Sequence, residues 1–164
     1  MKSLTLAIVL FELFLALGSH ASQAATGVVM DKFAKINSED ITWTPFPPVE
    51  GIKIAVLIGQ TDQSAPYLIR VKVPDNVKIF PHKHSENRIY TVISGVFYIG
   101  LGDKFDPDKL VAYAPGSIII VPAGLSHFHW AKSGEYVSQI YGIGPLGFEY
   151  IDSNNDPRIK KTNH

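Results

Sequence analysis

From about residue 50 onward the chain is written in short β-prone runs, which restricts its fold more than any other feature. Ile52 to Ile58, Tyr67 to Val73, Arg88 to Ile93, Val96 to Leu101, Ser117 to Val121 and Val137 to Ile143 are rich in β-branched and aromatic residues. Turn-forming clusters separate them: Pro74-Asp75-Asn76, Ser94-Gly95, Gly102-Asp103, Pro115-Gly116 and Pro122-Ala123-Gly124. No segment after the N-terminal run keeps a helical period for ten residues, the best candidate being the short stretch Asp106 to Leu110. Short strands at near-regular spacing predict an all-β sandwich or barrel.

The first residues read as an address label. Lys2 precedes an apolar run from Leu4 to Leu17, and small residues at Ser22 and Ala24 suit cleavage before Ala25. The run is shorter than the ~20 residues a membrane helix needs, and Glu12 interrupts it. The expectation is a signal peptide over 1–24 and a periplasmic or secreted protein with no stable membrane anchor after cleavage. An amphipathic or buried N-terminal helix is the alternative. The remainder divides into an N-terminal segment 25–49, a barrel 50–145 and a polar tail 146–164, one domain in all. Zero cysteines exclude disulfides and thiolate ligands, so an exported domain must be held by its core. Fifteen basic residues balance fifteen acidic ones, which argues against nucleic acid as a partner.

The histidines carry the chemistry. All four in the body of the chain fall in two His-x-His pairs, His82-Lys83-His84 and His127-Phe128-His129. Side chains two apart on a strand share a face and stand roughly 6.5–7 Å apart, within reach of one divalent ion. Two such pairs on strands that meet would converge on one site. A core histidine hydrogen-bonded to backbone is the competing reading of His127.

Pro81-His82-Lys83-His84 with Gly95 eleven residues later resembles the first cupin motif. Gly116, Pro122-Ala123-Gly124 and His127 resemble the second, with matching spacing. The resemblance implies a single jelly-roll barrel, with His82, His84 and His127 at metal-ligand positions and His129 in a pocket role. It also implies a divalent first-row metal (Zn, Fe, Mn or Ni) and a homodimer. Gly95 and Gly124 suit turns that need positive φ or a tight reversal, with Pro122 at the second turn position and Gly124 at the fourth.

Two departures from the motif stand out. Asn76 replaces its opening glycine and tolerates the left-handed conformation. Arg88 stands where the motif has glutamate, and a guanidinium cannot ligate a metal. Glu86 could supply a carboxylate ligand instead, or it is a turn residue paired with Lys83 or Arg88. Arg88 shares strand parity with Tyr90 and needs an anionic partner inside the barrel, either Glu86 or an acidic ligand. Tyr90, Tyr98, Trp130 and Tyr141 are candidate pocket walls, and Ile89 and Ile93 face outward and need cover. The leading expectation is an exported cupin that binds a metal and binds or transforms a small polar molecule, anionic or neutral, of oxygenase or isomerase type. The alternative is a metal-free binding or structural cupin without catalysis. No catalytic residue is assigned.

Overall fold

A computed structural model describes residues 33–159, so the expected leader lies outside the described residues. Eleven strands run β1 Thr44–Pro45, β2 Lys53–Ile58, β3 Pro66–Val73, β4 Lys78–Lys83, β5 Arg88–Ser94 and β6 Phe97–Leu101, then β7 Val111–Tyr113, β8 Ile118–Val121, β9 His127–Trp130, β10 Tyr136–Ile143 and β11 Glu149–Tyr150. They form two antiparallel sheets, ordered β1-β2-β3-β10-β5-β8 and β11-β4-β9-β6-β7. The architecture is all-β, as the sequence predicts. Asp106 to Leu110 holds only a single 3-10 turn, Pro107–Lys109, capped by the Asp106 carboxylate. The sheets extend past both ends of 50–145, through β1 on one side and through β11 on the other.

Alternation along the strands sorts the side chains. Tyr90 and Val92 of β5 are buried, whereas Ile89 and Ile93 are 40% and 39% exposed, matching the predicted parity. Tyr67, Ile69 and Val73 of β3, Phe97 and Ile99 of β6, and Tyr136 and Ile140 of β10 fill the space between the sheets. The outer face of the six-stranded sheet carries Ile118, Ile120, Tyr141 and Ile143, all exposed. Tyr141 therefore faces away from the interior, contrary to its expected place in a pocket wall.

One irregularity positions the site. β4 pairs with β9 as Ile79↔His129, but the register then shifts so that His82 rather than Pro81 lies opposite His127. An extra residue in β4 at Phe80–Pro81 makes a bulge, where a proline with no N–H to give costs no ladder bond. Strict alternation from the buried Ile79 would turn Lys83 inward. The bulge instead turns His82 and His84 inward beside it.

Gly95 joins β5 to β6 at φ +71°, as the hairpin requires. A Cβ there would also collide with the Glu135 carbonyl and the Tyr136 backbone. Gly95→Ala should therefore lower stability by about 1–3 kcal/mol, read as a lower melting temperature. An unchanged melting temperature would show that the hairpin adjusts freely. The Pro122 turn is placed one residue later than expected. The Leu125 amide bonds the Pro122 carbonyl at 3.2 Å, making Pro122 the first residue and Gly124, φ +76°, the third.

Candidate metal centre

Three of the four body histidines sit on the two neighbouring strands β4 and β9, and His84 lies one residue past the end of β4. All are buried: His82, His84, His127 and His129 expose 1%, 2%, 0% and 2% of their surface. Ring centroids lie 4.9 Å apart for His82–His84, 4.3 Å for His82–His127, 4.9 Å for His84–His127 and 5.0 Å for His127–His129. One ligand atom from each of His82, His127 and His129 falls within 4.8 Å of the others. The structure thus brings all four together. His129, expected in a pocket role, joins His82 and His127 in that trio, and the His84 ring stands 4.9 Å from both His82 and His127.

Backbone carbonyls fix the ring orientations. Nδ1 of His82 lies 2.9 Å from the Phe80 carbonyl, and Nδ1 of His127 lies 2.9 Å from the Leu125 carbonyl. A carbonyl only accepts, so each Nδ1 carries the hydrogen and each Nε2 keeps a free lone pair. His84 Nδ1 donates likewise to the Gly147 carbonyl at 2.9 Å, and its Nε2 accepts from the Tyr90 hydroxyl at 3.1 Å. The His127 Nε2 and His129 Nδ1 atoms are buried with no hydrogen-bond partner. Leaving such atoms unpaired costs about 1–3 kcal/mol each, a cost that a cation would remove.

Electrostatics keep these rings neutral. Burial pushes all four histidines well below their ordinary pKa, His127 down to about 4, and the nearby Arg88 charge adds to the effect. Neutral imidazole is the form that ligates metal. The donor set, its orientation and its unpaired lone pairs all fit a divalent transition ion.

Glu86 and Arg88 are engaged with each other. Arg88 Nη2 stands 2.7 Å from Glu86 Oε1, and Arg88 Nε donates to the same oxygen at 2.8 Å. Both residues are buried, at 3% and 8% exposure. Glu86 also accepts from the Tyr67 hydroxyl at 2.8 Å, from Ser85 Oγ at 3.0 Å and from the Gly147 amide at 3.0 Å. Burial alone would raise the Glu86 carboxyl, but Arg88, the Gly147 amide and the Tyr67 hydroxyl hold it below the usual carboxylate range. Its oxygens are committed to this network rather than to the histidines. Arg88 Nη2 further donates to the Gly147 carbonyl at 2.6 Å, the same oxygen that orients His84.

Above the cluster lies a cavity lined chiefly by hydrocarbon. Tyr90, Arg88 and His129 reach it. Tyr98 and Trp130 do not line it: they pair across β6 and β9 on the opposite sheet face, where the Trp130 indole donates to Asn76 and faces Lys78. Phe97 and Ile99, their neighbours in β6, are the inward residues. The sequence reading missed Phe148, whose ring stacks on His82 at 4.3 Å, and Gly147, whose peptide serves Glu86, Arg88 and His84 together. A Cβ at Gly147 would strike Ser85 Oγ, so the glycine in the Gly144-Pro145-Leu146-Gly147 cluster was the available signal.

No family model and no curated protein matches the chain. Solved structures do. The polyketide cyclase RemF from Streptomyces resistomycificus superposes with TM-score 0.62 at 18% identity, covering 77% of this chain and 90% of that one. KdgF from Halomonas sp. gives TM-score 0.53 at 18% identity over 69% of this chain and 96% of that one. An RmlC-like cupin from Shewanella frigidimarina gives 0.51 at 13% identity over 69% and 93%. At these identities the likeness speaks to architecture alone, and the architecture is the jelly roll of the cupins: this chain has the cupin fold.

Proposed function

We propose that the protein holds one divalent first-row metal per chain in the histidine cluster and uses it to bind or transform a small molecule in the barrel. His82, His127 and His129 are the ligands, with His84 as a fourth imidazole that the Tyr90 hydroxyl covers when the ring is free. The observation that carries this reading is the pair of buried, partnerless nitrogens, His127 Nε2 and His129 Nδ1. A bound ion would supply a Lewis acid to a ligand oxygen. The chain itself orients the rings through Phe80, Leu125 and Gly147 carbonyls, and Phe148 screens His82 from water. Neighbours with this fold include a polyketide cyclase and DMSP lyases, which supports an enzymatic role acting on small molecules. In the same reading the protein is exported after loss of residues 1–24. It pairs as a homodimer through the apolar outer face around Ile89 and Ile120.

Elemental analysis of untagged protein should find about one metal per chain. His82→Ala/His127→Ala should cost more than the 10–100-fold in affinity typical of losing an outer partner. Full occupancy in that double variant would exclude this site. The Arg88–Glu86 pair favours a second reading for Arg88 itself, a structural tie rather than a grip on an acidic ligand.

A further inference from the structure

The two sheets part along one side of the barrel. β7 and β8 are the end strands of their respective sheets and do not pair with each other. A turn joins them, closed by the Ser117 amide on the Ala114 carbonyl at 3.1 Å. From that turn a groove runs between the strands to Lys109 and Leu125, holding about 450 Å³ wide enough for a water molecule's centre. The cavity beside the histidines holds about 40 Å³ by the same measure, so the groove is the roomier of the two.

Side chains that elsewhere fill the core line this groove. Val111 lies opposite Ile99, which is 5% exposed, and Leu101 lies opposite His127, which is 0% exposed. Residues paired across strands share a sheet face, so Val111 and Leu101 point toward the interior. Each is nonetheless 54% exposed. Inward-facing hydrocarbon open to water is where an apolar ligand gains most from burial. Lys109 is the one charged side chain among the lining residues, and it stands at the end away from the turn. Its ammonium is 4.0 Å from Asp106 with 62% of the Lys109 side chain exposed, a contact worth little in water.

We propose that this lateral groove binds an unbranched aliphatic carboxylate, a medium-chain fatty acid, at a site separate from the histidines. The hydrocarbon lies along Ile99, Val111 and Val121 toward the turn, and the carboxylate meets the Lys109 ammonium. Four residues of extended chain, Lys109 to Tyr113, span roughly 13 Å, about the length of a ten-carbon chain. A small anion would leave the apolar walls wet, and a neutral hydrocarbon would leave Lys109 without its charge complement. An amphiphile with one negative end satisfies both. The outer face assigned above to a homodimer meets this lining at Ile120, whose neighbours Ile119 and Val121 turn inward. A dimer on that face therefore leaves the inward side chains to the ligand.

The test titrates the purified protein with decanoate, octanoate and 1-decanol by calorimetry, each below its micelle or solubility limit. Decanoate should bind at one site per chain, and octanoate about fifteenfold more weakly, two methylenes at about fourfold each. Lys109→Gln should weaken decanoate about three- to fivefold, the range of an exposed charge pair, and leave 1-decanol unchanged. Val111→Asp, at a half-exposed position that tolerates a polar side chain, should weaken both ligands at least about tenfold. Thermal melts confirm that both variants stay folded. Decanoate binding that neither variant alters would place it elsewhere, at the histidines for instance, and overturn the inference. Equal affinities for decanoate and octanoate would overturn it too. A parent that binds no decanoate, while Val111→Asp turns a dimer into a monomer, would assign the groove to a second copy instead.

Discussion

Replacing Arg88 by methionine should destabilise the protein by about 3–5 kcal/mol, the cost of leaving one member of a buried ion pair behind. In a domain of this size that is a fall of roughly 10–20 °C in melting temperature. The reason is Glu86, which would keep its charge at 8% exposure with only Tyr67, Ser85 and the Gly147 amide to hold it. Arg88→Met/Glu86→Leu removes both charges and should recover much of the loss, because a buried pair exchanged for hydrocarbon is often close to neutral. Arg88→Glu, which writes in the residue of the motif this stretch resembles, should be worse than methionine, since it sets a second carboxylate against Glu86. Thermal melts of the three variants check the order. A single Arg88→Met variant as stable as the parent would show that the pair contributes nothing.

The metal-free protein should lose stability steeply as the pH falls from about 6.5 to 4. His127 is held at about 4 in the fold, whereas an unfolded chain protonates near the ordinary ~6.5. The unfolded state therefore binds more protons across that window. The stabilisation is complete above the upper value and is lost as the pH approaches the lower one. His127 alone accounts for about 3 kcal/mol, and His82, His84 and His129 act in the same direction. Glu86, also depressed, acts lower, below the ordinary carboxylate range. Denaturation curves of chelator-treated protein at pH 7 and pH 4.5 measure the difference. Identical curves would show that the rings take up protons without disturbing the fold.

Much of this molecule was legible as pattern. Period-two alternation placed Tyr90 and Val92 inside and Ile89 and Ile93 outside, because a strand's geometry follows directly from its sequence. The paired histidines announced one cluster for the same reason. Other features depend on non-local facts. The strand carrying His82 reads poorly as a strand because Pro81 interrupts it, and only its pairing with β9 reveals a bulge. Tyr98 and Trp130 looked like pocket walls because aromatic composition carries no sidedness, whereas the parity of Phe97 and Ile99 did. The partner of Arg88 was open between Glu86 and an acidic ligand. A two-residue spacing to Glu86 does not show that the turn folds the carboxylate back under the guanidinium, nor that Tyr67, far earlier in the chain, completes the arrangement.

The segment from Leu146 to Phe148 lies outside both histidine motifs, yet it supplies the carbonyl that sets the His84 tautomer, the amide that anchors Glu86 and the ring that covers His82. Proteins built on this barrel could therefore diverge in metal preference while every histidine stays in place, by exchanging the two residues that stand here as Gly147 and Phe148. Surveys that sort such chains by their histidine spacing would group together proteins whose sites differ. This short loop is the better place to divide them, and the natural first target for changing what the site accepts.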